Sequence, residues 1–187
     1  MIINKSEAQM IALFIIDELP DEVTLSELEE ILVSSEVFEP IDVPQHIESL
    51  LKAGHIYISG GNEKNARYDA AKDILSRKYA GITETGRELV WTLSAKKTLC
   101  QSAINKAMRC YKKLILGIEY KIDMEVQKDG SYVHFKMYLS EKLYFSTSLF
   151  FAKSSEALAV YERMDDDPDA FYNGFLTVAS GNIDYLM

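Results

Sequence analysis

Apolar residues recur at steps of three and four through residues 6–51 and at steps of two through residues 55–59, so the chain opens with short helices and then turns to strands. Asn4 or Ser6 can cap a first helix running to about Leu19, with Met10, Leu13 and Phe14 marking its turns and Pro20-Asp21 ending it. Thr24-Leu25-Ser26-Glu27 has the spacing of a capping box, in which hydroxyl and carboxylate each take an orphan amide. It predicts a second helix with Leu25, Leu28, Ile31 and Leu32 inward and Glu27, Glu29 and Glu30 outward. Asp42 is the expected cap of a third helix, with Pro44 in its first turn, Ile47, Leu50 and Leu51 as its buried stripe, and Gly54 as its stop. His55 to Ser59 alternates like a strand, Gly60-Gly61 turns the chain, and a returning strand is expected within Ile74 to Thr83. Thr85 and Glu88 form a further capping-box pattern, predicting a helix directly behind Ile82.

From Lys96 to Leu116 no Pro or Gly interrupts a helical pattern. Its apolar stripe contains Leu99, Cys100, Ala103, Ile104, Ala107, Met108, Tyr111, Leu114 and Ile115. We expect a long linking or dimerisation helix over 96–117, with Leu99, Ala103, Ile104, Ala107, Met108, Tyr111 and Leu114 as the dimer surface. Beyond it, Tyr120, Ile122, Met124 and Val126 alternate with polar residues, Asp129-Gly130 suggests a tight turn, and Val133, Phe135, Met137 and Leu139 alternate again. A third strand is expected from Leu143 to Phe150. Two helices follow to cover one face of this meander: 155–164, with Ala157, Leu158 and Tyr161 inward, and a second capped by Asp167 with Pro168 behind it. Tyr132, Tyr138, Tyr144 and Phe150 fall on the opposite face, where cover by a neighbouring helix is favoured over ligand binding.

Charge changes this picture. The net charge is -9, and residues 1–60 hold 2 Lys/Arg against 12 Asp/Glu. Leu89 to Ile118 holds 6 basic residues and no acid. A polyanion is repelled at long range, so nucleic-acid contact has to use local positive patches. The helix cations Lys106, Arg109 and Lys113 have three readings, in order of preference: solvation of the helix, pairing with the acidic N-terminal helices, and phosphate contact.

Other chemistry is sparse. His46, His55 and His134 have no metal-ligand spacing to one another or to the cysteines. Asp165-Asp166-Asp167-Asp169 lacks the glycine and terminal glutamate of a calcium loop, and no nucleophile motif stands out. We therefore expect no enzyme activity, no metal and no cofactor. Cys100 and Cys110 lie roughly 15 Å apart along one expected helix, too far to bridge. With no membrane-length apolar run and no signal-peptide pattern, a reduced cytoplasmic location is the expectation.

Helix, helix, helix, strand, wing, strand, helix is the winged-helix order. The chain as a whole resembles a bacterial winged-helix family of unknown function. The residues that carry the resemblance are Gly81 to Glu88, Asp129-Gly130-Ser131-Tyr132-Val133, Ser155-Glu156-Ala157, and Asp167-Pro168 followed by Phe171-Tyr172. It implies an α+β protein: a winged-helix domain over 1–95, the long helix, and a C-terminal three-stranded antiparallel meander covered by two helices over 118–187. It also implies a regulatory, DNA-binding role. By that analogy the third helix offers Gln45, His46, Ser49 and Lys52 to base edges, and the wing offers Lys64, Arg67, Lys72, Arg77 and Lys78 to phosphates. The expected partners are DNA and a second copy of the chain. The alternative is a protein-interaction module on the same fold, motivated by the acidic first 60 residues.

Overall fold

The computed structural model describes residues 4–60 and 78–181. It is an α+β chain with two small antiparallel sheets, and it divides into two compact units, Met1–Leu114 and Ile115–Met187.

In the first unit the order is α1 (Lys5–Glu18), β1 (Val23–Thr24), α2 (Leu25–Ser34), α3 (Val43–Lys52), β2 (Ile56–Gly60), β3 (Lys78–Ile82), α4 (Glu84–Thr92), α5 (Ser94–Lys97) and α6 (Gln101–Tyr111). The short strands form one sheet in the order β1-β3-β2. The Thr24–Glu27 capping box forms, with the Glu27 carboxylate accepting from the Thr24 amide at 2.8 Å, and Asn4 and Glu7 make a second one, Asn4 Oδ1 accepting from the Glu7 amide at 2.9 Å. α1 is the central element, with Ile11 to Ile16 buried without a break, packed among α3, α4, α6 and β3. That run is apolar all round because every side of its middle turns is covered.

Four expectations need correction here. The cap of α4 is Thr83, whose hydroxyl accepts from Gly86 N at 3.0 Å, and the Thr85–Glu88 box does not open the helix. Asp42 stands at the N-cap of α3 with its side chain making no capping bond. The uninterrupted helix over Lys96 to Leu116 is instead α5, a 3-10 turn at Thr98–Cys100, α6 and a π-helical turn at Lys112–Leu116. The break falls at Cys100, whose backbone leaves helical geometry at φ -106° and ψ 5°. Finally, α6 packs on α1 and α2 and belongs to the first unit's core.

The second unit contains β4 (Ile118–Gln127), β5 (Gly130–Leu139), β6 (Lys142–Phe151), α7 (Ser154–Asp166) and α8 (Pro168–Ala179). The strands form an antiparallel meander in the order β4-β5-β6. Its inner face, with Tyr120, Val133, Phe135 and Met137, packs with Ala157 and Met164 of α7, and the ring of Phe171 of α8 lies tilted against Phe135, centroids 4.8 Å apart. Asp167 caps α8 as expected, accepting from Ala170 N at 2.9 Å. Gln127 pairs with Gly130, so the first hairpin turns at Lys128-Asp129, one residue earlier than Asp129-Gly130. Gly130 opens β5 because a Cβ there would stand 2.5 Å from the Phe151 main-chain oxygen. Leu158 was expected inward and is exposed.

Candidate functional site

Helix α3 is built by the third apolar pattern, which buries Val43, Ile47 and Leu50 and leaves Leu51 half-buried. Gln45, Glu48 and Lys52 are exposed, whereas His46 and Ser49 are half-buried. The Ser49 hydroxyl donates to the Gln45 carbonyl at 2.8 Å, so its proton is committed to the helix backbone and its lone pairs face outward. Lys52 is bridged to Glu48 one turn back at 2.6 Å, both well exposed. The hydrogen bond and charge of Lys52 hold the Glu48 carboxyl below the usual carboxylate range. The one cation on α3 is thus neutralised within the helix.

His46 lies edge-on to Phe38, ring centroids 5.3 Å apart, and its Nδ1 is buried without a hydrogen-bond partner. Burial lowers its pKa, the Asp42 charge opposes that shift, and Lys5 adds to it. The net effect favours the neutral ring.

The joint behind α3 is closely built. Gly54, at φ 73°, ends the helix, and Thr83 Oγ1 lies 2.7 Å from the Gly54 carbonyl and 3.0 Å from that of His55. The Thr83 amide donates to the His55 carbonyl at 3.0 Å. The Thr83 side chain therefore holds the start of α4 against the end of α3. Lys78 is exposed at the first position of β3, while Lys64, Arg67, Lys72 and Arg77 lie outside the described residues.

Two of the cations from the basic stretch meet acids of the same unit. Lys97 bridges to Glu18 and approaches Asp17 at 3.9 Å, and Lys106 bridges to Glu36. Internal pairing, the second of the three readings, describes Lys106, and Lys97 pairs in the same way. The apolar stripe divides in the same way: Ile104, Ala107 and Tyr111 are buried within the chain, and Ala103 and Met108 are partly covered. Leu114 is exposed, and Leu99 is 86% exposed beside the break in the helix.

A second cluster lies on the outer face of the β4-β5-β6 sheet, and sequence reasoning missed it. His134 Nδ1 is 2.8 Å from Ser148 Oγ and its Nε2 is 3.5 Å from Glu125 Oε2. The ring stacks at 7° on Tyr132, which also meets Phe150. Hydroxyl, imidazole and carboxylate in that order are the parts of an acyl-transfer relay, but such chemistry also needs preorganised donors for an oxyanion and a cleft for substrate. The clefts lined by Val160, Arg163 and Phe171 and by Glu22, Tyr57 and Arg87 include none of the three residues. Tyr144, expected in the outer aromatic row, falls where the register shifts between Met137 and Tyr138, and its hydroxyl meets that of Tyr172. Among the described residues, no group of His, Cys, Asp and Glu is placed to hold a metal ion, and no helix is long and apolar enough to cross a membrane.

Comparison with known protein families, curated proteins and solved structures finds no match.

Proposed function

We propose that the chain is a winged-helix DNA-binding protein, a transcriptional regulator acting as a dimer. The observation that carries this reading is the order α1-β1-α2-α3-β2-β3 with strand order β1-β3-β2, the arrangement that presents the third helix to a major groove. Gln45, Ser49 and Lys52 on the exposed side of α3 supply base-edge chemistry, and Lys64, Arg67, Lys72, Arg77 and Lys78 supply phosphate contacts. The test is retention of the purified chain on a pool of genomic DNA fragments across a salt series. Selective retention that falls steeply with salt is expected. Replacing Lys64, Arg67, Arg77 and Lys78 by Ala is expected to flatten the log–log salt slope by roughly 3.6. No retention at low salt overturns the reading.

A second reading is favoured by the Glu48–Lys52 bridge, which leaves the outer side of α3 without net positive charge. On this reading the same fold docks a basic protein. Glu29 and Glu30 are the exposed acids of α2 to reverse to Lys, because Glu27 is committed to the capping box and its loss would unfold the helix start. A partner captured by the native chain and lost on that reversal, together with failure to retain DNA, would establish this second reading.

A further inference from the structure

The two edges of the C-terminal sheet are built differently. β4 places Glu119, Lys121, Asp123 and Glu125 at alternate positions along its edge, the usual guard against pairing with another chain. β6 has no such guard. After Lys142 it reads Leu-Tyr-Phe-Ser-Thr-Ser-Leu-Phe-Phe, with no charge, proline or glycine. Among the described residues it pairs with β5 alone. The bulge at Tyr144 affects only the start of the strand, and the register from Phe145 to Phe151 is regular. A ten-residue edge strand with no charge beyond its first residue is a template for another strand.

The order of residues says which strand. Read outward from Thr147, β6 is a chemical palindrome: Ser146 and Ser148, then Phe145 and Leu149, then Tyr144 and Phe150. An antiparallel strand of the same sequence matches hydroxyl to hydroxyl and apolar to apolar across the pair. The helix over this edge carries the same signal. α8 packs on β6 through Tyr172 and Phe175 against Phe145, yet leaves Leu176 and Val178 exposed.

We propose that β6 is the dimer interface, pairing antiparallel with β6 of a second copy about a two-fold axis near Thr147 to make one continuous six-stranded sheet. The interface is isologous and closes at two subunits. It takes over the role expected of the α6 stripe, whose central residues Ile104, Ala107 and Tyr111 are spent on the chain's own core. It does not depend on DNA contact and holds whether or not the first unit binds DNA.

The test is the mass of the full chain by sedimentation at about 10 µM, where a stable dimer of this kind is populated. The double substitution S146K/S148K sets like charges against each other in either register, axis at Thr147 or at Ser148. It is expected to weaken dimerisation tenfold or more, since like charges directly opposite one another destabilise a strand pair. D123K on the β4 edge leaves the dimer intact. Hydrogen exchange on the native chain needs no variant: both alternate sets of amides from 145 to 151 are protected in the dimer, and one set exchanges freely in a monomer. A monomeric native chain overturns the proposal. So does a dimer that survives S146K/S148K, or a dimer in which alternate β6 amides exchange freely.

Discussion

Gly86 lies so close to His55 that a Cβ on it would stand 2.2 Å from the His55 main-chain oxygen and 2.8 Å from Ile82 Cγ1. The carbonyl cannot give way easily, because it also accepts from the Thr83 amide. Gly86→Ala is expected to destabilise the first unit by about 2–3 kcal/mol, the cost of forcing backbone shifts in a packed site. Urea unfolding followed by circular dichroism measures it. A change under about 0.5 kcal/mol would mean that the joint between α3 and α4 is looser than its geometry says.

In the second unit the Tyr120 hydroxyl donates to Asp169 Oδ1 at 2.6 Å, tying β4 to the first turn of α8 across a partly buried contact. Tyr120→Phe is expected to cost about 1–3 kcal/mol, since it removes a short, partly buried hydrogen bond and leaves a carboxylate oxygen without that donor. Hydrogen exchange should show the loss in α8 and the β4-β5-β6 sheet. Equal destabilisation of α1 and α2 would contradict it.

The second hairpin turns through Ser140 and Glu141, both with positive φ, at 47° and 68°. A side chain held there costs backbone energy that glycine avoids, so Glu141→Gly is expected to stabilise the unit by about 0.5–1 kcal/mol. A rise in the denaturant midpoint with an unchanged slope is the expected result. Destabilisation would show that Glu141 makes contacts in solution that outweigh its strain.

Burial holds His46 below the ordinary histidine pKa of 6.5, so the unfolded chain binds its proton more readily than the folded one. Stability contributed by the neutral ring is present above pH 6.5 and is lost as pH falls below that value towards the folded pKa. Asp42 and Lys5 act on the ring in opposite directions and temper the effect. Replacement by Phe, which keeps the edge contact with Phe38, should flatten the pH dependence of unfolding as pH falls below 6.5. An unchanged slope would assign the acid sensitivity to other groups.

Where local chemistry decides the backbone, the sequence was legible. Asn4 (one of the two caps expected for α1), Thr24 with Glu27, and Asp167 with Pro168 each mark their helix start locally. Where two elements must meet, it was not. The choice of Thr83 over Thr85 as the α4 cap goes with the carbonyls of Gly54 and His55, 29 and 28 positions away in sequence, together with the clash that bars any residue but glycine at 86. The His134–Ser148 pair was equally hidden. A two-residue turn at Ser140-Glu141 without a bulge would set His134 opposite Thr147; the one-residue shift at Tyr144 brings Ser148 there instead. No periodicity encodes that extra residue.

Two cores in one chain also make two thermometers. The apolar surface around α1 and that beneath β5 are sealed by different residues, so heat need not melt them together. A calorimetric trace should resolve into two endotherms, with Gly86→Ala lowering one and Tyr120→Phe the other. Only the second should rise with protein concentration, because only that transition would also separate the subunits joined along β6.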